Sequence, residues 1–128
     1  MNNIDVQLKL KRDQFMLDMA LSIPGQGVSV ILGPSGSGKT TLLRALAGLD
    51  KVDQGFIRKS NTVWLDSSRK INISPQKRNV GMVFQDYALF EHMTVEANVG
   101  FSISRHERNK KVPVWLKKLA IDHLAARY

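Results

Sequence analysis

The sequence contains no cysteine. That excludes a disulfide framework and any thiolate metal site, and it is compatible with a reducing cytosol. Long apolar runs are missing too. Nothing approaches the roughly 20 residues a helix needs to cross a bilayer, so the chain is not read as membrane-spanning. The start, Met1-Asn2-Asn3-Ile4-Asp5, has neither a basic stretch nor an apolar core, and no secretion signal is visible. Blocks of five or six like charges are absent, although Lys and Arg number 19 against 11 Asp and Glu, for a net charge of +8. The positive residues are scattered: Lys9, Lys11 and Arg12, then the pairs Arg69-Lys70, Lys77-Arg78, Lys110-Lys111 and Lys117-Lys118. No recognised nucleic-acid motif accompanies them, so they read as a solvated face and no nucleic-acid partner is expected. His92, His106 and His123 lack metal-ligand spacing, and Trp64, Trp115 and the five Met residues read as packing.

What is present is globular composition, with 43% hydrophobic and 23% charged residues in 128, enough for one small domain or part of a larger one. One run outweighs the rest: Gly33-Pro34-Ser35-Gly36-Ser37-Gly38-Lys39-Thr40. It fits G-x-x-x-x-G-K-[ST], the phosphate-binding loop of P-loop nucleotidases. Glycines let backbone N–H groups turn around phosphate oxygens with no Cβ in the way. Lys39 supplies a point charge for the terminal phosphates, and the Thr40 hydroxyl, followed by Thr41, is placed to hold Mg²⁺. A helix opening at the loop adds its positive dipole end. The flanks have the required order. Val28-Ser29-Val30-Ile31-Leu32 reads as a buried parallel strand, and Leu42, Leu43, Leu46 and Leu49 follow at helical spacing with Gly48 near the C-cap.

Elsewhere, Ile4, Val6, Leu8 and Leu10 alternate with polar residues, as do Phe15, Leu17, Met19, Leu21 and Ile23, with a polar link between them. That predicts an antiparallel hairpin with one buried face. Residues 56–58 and 62–65 are short strand candidates, and 70–74 is a further one. Pro75-Gln76-Lys77-Arg78-Asn79 reads as a polar connection. Val80-Gly81-Met82-Val83-Phe84 is a second β-favouring run, ending at Gln85. Helical character begins at Thr94, a capping residue with Glu96 in the first turn. Pro113 suits a first helical position, with Val114, Leu116, Leu119, Ile121 and Leu124 as an apolar stripe behind it. The expected division is 1–93 and 94–128.

Leu46-Ala47-Gly48-Leu49 closing the loop's helix, then Gln54-Gly55, resembles the ATPase subunits of ABC transporters. So does the stretch from Lys77 through Gln85-Asp86-Tyr87-Ala88-Leu89-Phe90 to Met93-Thr94-Val95, which is similar to the Q-loop region of importers in the molybdate, sulfate, polyamine and iron group. Trp64-Leu65-Asp66-Ser67-Ser68 through Ile73-Ser74-Pro75 is most similar to the molybdate type. The resemblance implies an α/β fold, the ABC-type P-loop core: an N-terminal antiparallel sheet, a P-loop strand and helix, and the start of a helical subdomain. It implies ATP and Mg²⁺ as ligands, with Gly33 to Thr41 and Gln85 binding nucleotide and Thr40 and Gln85 touching the metal. It also implies a transmembrane permease docking near Tyr87, Leu89, Phe90 and Met93, a second ATPase subunit, and a cytoplasmic location on the inner membrane face. Phe15 is the one aromatic ahead of Gly33 and so the candidate adenine platform.

The family's L-S-G-G-Q signature, Walker B Asp-Glu and switch histidine do not appear in this sequence, and no acidic residue after an apolar strand substitutes for them. The expectation is a chain corresponding to the N-terminal part of such a subunit. It binds ATP without hydrolysing it and has no catalytic residue of its own, with the edges of 28–32 exposed. Two other readings remain: a non-catalytic nucleotide-binding interaction module, and a P-loop small-molecule kinase. The second wants an acceptor region and an arginine-bearing lid, where residues 85–95 show the importer pattern instead.

Overall fold

The computed structural model describes residues 2–128. They form two compact units, one ending at Met82 and the other Val83–Tyr128. The division falls ahead of residue 94, where the sequence changes character.

The first unit is built on five antiparallel strands in the order β2-β1-β3-β4-β5: β1 (Ile4–Arg12), β2 (Phe15–Ile23), β3 (Gln54–Lys59), β4 (Thr62–Asp66) and β5 (Ile71–Asn72). The β1–β2 hairpin pairs Ile4 with Ile23 through to Arg12 with Phe15, so the two alternating patterns align. Val6 faces Leu21 on one side and Ile57 on the other, and Ile57 faces Leu65. This apolar row crosses four strands on one face of the sheet, because side chains alternate with a period of two. The helix α1 (Lys39–Ala47) covers that face. Its Leu42 and Ala45 share one buried cluster with Val6, Leu8, Leu10, Leu17, Ile57, Trp64 and Leu65.

The opposite face is polar and cross-linked at the same register. Asp5 accepts from Arg58 Nη2 at 2.6 Å and from Ser22 Oγ at 2.7 Å, and Lys9 lies 3.5 Å from Asp18. Each of these partners is directly opposite in the strand pairing. Exposed pairs of this kind contribute about 0–1 kcal/mol each, so they select register while the buried row carries the stability.

Two strand expectations fail. Residues 28–32 and 80–84 form no strand. Val28, Leu32 and Val83 are 93%, 88% and 95% exposed. A β-branched run becomes a strand only beside a hydrogen-bonding neighbour, and none of β1 to β5 pairs with either run. With no strand formed, 28–32 has no strand edge, and what is exposed is its apolar side chains. Residues 75–79 also differ from expectation, since Pro75–Arg78 is one helical turn, α2, with Pro75 in the first turn and Asn79 left-handed at its end.

The second unit contains α3 (Val95–Val99), α4 (Arg108–Lys118) and a 3-10 turn at Asp122–Leu124. Thr94 caps α3 as expected, its hydroxyl accepting from Ala97 N, while Val95 N and Glu96 N donate to the carbonyls of Arg127 and Ala125. The first N–H groups of this short helix are thus satisfied. The helix containing Pro113 departs from expectation. Pro113 lies inside α4, which starts five residues earlier, and the buried residues are Val112 and Leu116. Val114 and Leu119 are exposed. With the helix starting at Arg108, Val112 and Leu116 form the inward i, i+4 pair.

Leu10→Ala, which empties a fully buried position, lowers unfolding free energy by roughly 2–5 kcal/mol, whereas exposed Met16→Ala stays within about 0.5 kcal/mol. Urea denaturation of the two variants checks this. The Arg58 hydrogen bond, with that of Ser22, holds the Asp5 carboxyl below its ordinary value. A folded pKa below the unfolded one gives stability that is present above about pH 4 and lost as pH falls through the folded value. The denaturation midpoint of wild type therefore drops more than that of Asp5→Asn between pH 7 and pH 3.

Candidate functional site

The loop 33–38 leads into α1. Gly36 and Gly38 adopt φ of 78° and 92°, backbone that only glycine enters readily, and these two positions reverse the chain so that its amides precede the helix. Within 33–38, Ser37 N donates to Pro34 O at 3.2 Å, while among the described residues the amides of Gly36, Gly38, Lys39 and Thr40 donate to no backbone carbonyl. They lie at the N-terminal end of a nine-residue helix, where the dipole favours an anion.

Lys39 Nζ folds back over the loop, donating to the carbonyls of Gly33 and Pro34 at 2.7 Å each and to Ser37 Oγ at 3.4 Å. An ammonium held by two neutral carbonyls keeps its whole charge available. Thr40 and the loop from Gly33 to Ser37 are exposed, and Gly38, Lys39 and Thr41 are half-buried. One cation, a hydroxyl and several unpaired amides at a helix N-terminus match a polyphosphate with its metal.

The underside of the loop rests on the hairpin. A Cβ at Gly38 would lie 3.2 Å from both Phe15 Cε2 and Leu17 Cδ1. Phe15, the candidate adenine platform, is half-buried with its ring edge against this glycine and packed onto the core cluster. Asp66 does follow an apolar strand, β4. Its carboxylate is buried and occupied, because Oδ1 accepts from Ser68 N, Ser68 Oγ and Arg69 N. The Ser68 hydrogen bond holds its pKa below the ordinary value. It is a turn-forming group, not a free base.

Within the second unit Gln85 is exposed at the start of an irregular turn. Tyr87 and Ala88 have φ of 62° and 50°, two consecutive left-handed residues without glycine. Tyr87 and Leu89 project into solvent, Met93 is half-buried, and the Phe90 ring stacks on Phe101 at 4.4 Å. Asn98 orders this loop, a role its sequence context does not reveal. Its Oδ1 accepts from Phe90 N, and its Nδ2 donates to the carbonyls of Phe90, Met93 and Thr94.

Arg78 is the other residue that sequence reasoning missed, having read it as solvated alongside Lys77. It is 3% exposed. Nothing local distinguishes the two, because the carbonyls it binds, Ala45 and Leu46, lie 33 and 32 residues earlier.

This arrangement defines a P-loop α/β domain of the ATP-binding cassette kind. A family model for the ABC transporter matches residues 16–128, and the chain belongs to that family. It is 44% identical over 127 residues to the molybdenum import ATP-binding protein ModC of Pseudomonas savastanoi pv. phaseolicola, a match covering 97% of this chain and 35% of that protein. The ModC protein of Pseudomonas aeruginosa is 38% identical over 130 residues, covering 99% of this chain and 36% of its own length. The chain thus spans about a third of the curated relatives it matches. Among solved structures, the ATP-binding cassette MJ0796, in a dimeric post-hydrolysis state bound to ADP and Pi, superposes with a TM-score of 0.71 at 25% identity. That match covers 96% of this chain and 60% of MJ0796. Among the described residues, no helix is long and apolar enough to cross a membrane.

Gly38→Ala forces an L-residue to φ 92° against Phe15 and Leu17, and costs on the order of 1–2 kcal/mol. Gly81→Ala, with open space around it, leaves stability unchanged. Thermal melts of the pair separate the two outcomes.

Proposed function

We propose that this chain carries the phosphate-binding portion of an ATP-binding subunit that powers molybdenum import. The observation that carries the proposal is the Lys39 ammonium, 2.7 Å from two loop carbonyls at the head of α1, beside amides that have no backbone acceptor. In this reading Lys39 exchanges those neutral carbonyls for terminal phosphate oxygens, a stronger, charge-assisted pairing. Residues 33–41 surround the phosphates, and the exposed Thr40 hydroxyl offers an oxygen to Mg²⁺. The metal, when bound, neutralises phosphate charge. Gln85, in the second unit, offers an exposed side-chain amide, the group that the likeness to importer Q-loops assigns to nucleotide.

The solute assignment rests on the ModC relatives, which are named for molybdenum import. The exposed Tyr87 and Leu89, with Phe90 and Met93, form the surface for a membrane permease. Exposed apolar clusters of this kind mark partner sites. The subunit works beside a second ATPase copy on the cytoplasmic face of the membrane. Binding is the property assigned to residues 33–41. Hydrolysis is assigned to the whole subunit, since Asp66, the carboxylate that ends β4, is held in a turn.

Titration of the full chain with Mg·ATP shows saturable binding, and Lys39→Ala weakens it by roughly tenfold or more, the loss expected for a hydrogen-bonding charge on phosphate. Turnover stays at background in both. A wild-type chain that remains folded and does not bind refutes the reading.

A further inference from the structure

We propose that Arg78 is a positioning residue for the phosphate-binding loop, holding α1 by its C-terminal end so that Lys39 and Thr40 at the other end keep their place. This rests on the nucleotide reading given above. Arg78 Nη1 donates to the carbonyls of Ala45 and Leu46 at 2.9 and 2.8 Å, Nε to Ile73 O at 2.9 Å, and Nη2 to Asn72 Oδ1 at 3.0 Å. Ala45 and Leu46 are in the last turn of α1, where carbonyls run short of intrahelical donors; Ala45 O accepts from Gly48 N at 3.1 Å as well as from the guanidinium. The guanidinium therefore bridges the end of the P-loop helix to the β5 edge of the sheet, with the Trp64 ring centroid 5.8 Å away.

The charge makes this link obligatory. Among the described residues, Arg78 forms no ion pair with a carboxylate. A buried cation of this kind is tolerated where fixed dipoles compensate it, and the negative end of α1 is the compensating dipole. If the helix end moved away, the buried guanidinium would keep only Ile73 O and Asn72 Oδ1 and lose both helix carbonyls. Gly48 fits the same arrangement: its φ is 79°, and a Cβ there would lie 2.9 Å from Arg78 Cζ. Glycine is thus required both to end the helix and to admit the arginine.

The helix is short, about 13 Å at 1.5 Å per residue, and it is held at both ends. Gly38 rests on Phe15 and Leu17 at the phosphate end, and Arg78 grips the other. A tilt released at the far end moves Lys39 and Thr40 relative to the loop. Small displacements of a positioning group change ligand affinity more than they change folding.

The experiment compares Arg78→Met, Arg78→Gln and Arg78→Lys in the full chain, with Asp5→Ala as a sheet variant destabilised on the face opposite α1. Mg·ATP affinity is measured where circular dichroism shows each protein folded, and amide exchange is followed without nucleotide at residues 42–44, starting from the Leu42 amide that donates to Gly38 O. Arg78→Met is expected to weaken binding roughly tenfold and to speed exchange at the head of α1, and Arg78→Lys to recover most of both, because an ammonium can still meet the two carbonyls. Arg78→Gln, which donates without charge, falls between them. Asp5→Ala loses stability and keeps affinity. Wild-type affinity and exchange in folded Arg78→Met overturn the proposal, as does an affinity loss that Asp5→Ala shows equally. If Arg78→Met does not fold, Arg78→Lys and Arg78→Gln decide by the same two readouts. A wild type that does not bind, with exchange altered in the arginine variants, refutes the nucleotide reading and leaves the mechanical link supported. Binding in wild type with unaltered exchange and affinity in the variants refutes the link alone.

Discussion

Everything in the first unit depends on burying one apolar face. Four strands contribute Leu21, Val6, Ile57 and Leu65 to a single row, and α1 lays Leu42 and Ala45 against the same cluster. The helix that covers this face is also the helix whose first turn carries Lys39 at the end of the glycine loop. Packing and ligand chemistry therefore share one element. The apolar side of α1 sets its distance from the sheet, and its N-terminus is presented to solvent at the loop.

The loop itself shows how local and tertiary constraints meet. Left-handed backbone at Gly36 and Gly38 turns the chain, and the missing Cβ at Gly38 lets the loop settle on Phe15 and Leu17 of β2. At the opposite end, Gly48 ends the helix and leaves room for Arg78. The polar face of the sheet, with Asp5, Arg58, Ser22, Lys9 and Asp18 in register, specifies pairing at small energetic cost.

The second unit is organised differently. Its helices are short, and its order comes from satisfied polar groups as much as from burial. Asn98 holds the backbone of Phe90, Met93 and Thr94, while Thr94 and the carbonyls of Ala125 and Arg127 complete the start of α3. The left-handed Tyr87 and Ala88 sit in the segment that follows Gln85.

The sequence alone determined the hairpin, the strands after α1, the phosphate-binding loop with its helix, the Gly48 end of that helix and the Thr94 cap. Each of these follows from interactions within a few residues: alternation, helical spacing, left-handed glycine and a capping hydroxyl. The ABC-type core was legible for the same reason, since its loop motif is contiguous. Only the tertiary structure decided whether residues 28–32 and 80–84 are strands, because a strand exists through neighbours that its own residues do not specify. It also decided the start of α4 ahead of Pro113 and the inward pair Val112 and Leu116. The burial of Arg78 is the clearest case. Its partners are carbonyls more than thirty residues away, and a side chain's own identity does not reveal whether distant backbone will fold back to receive its charge.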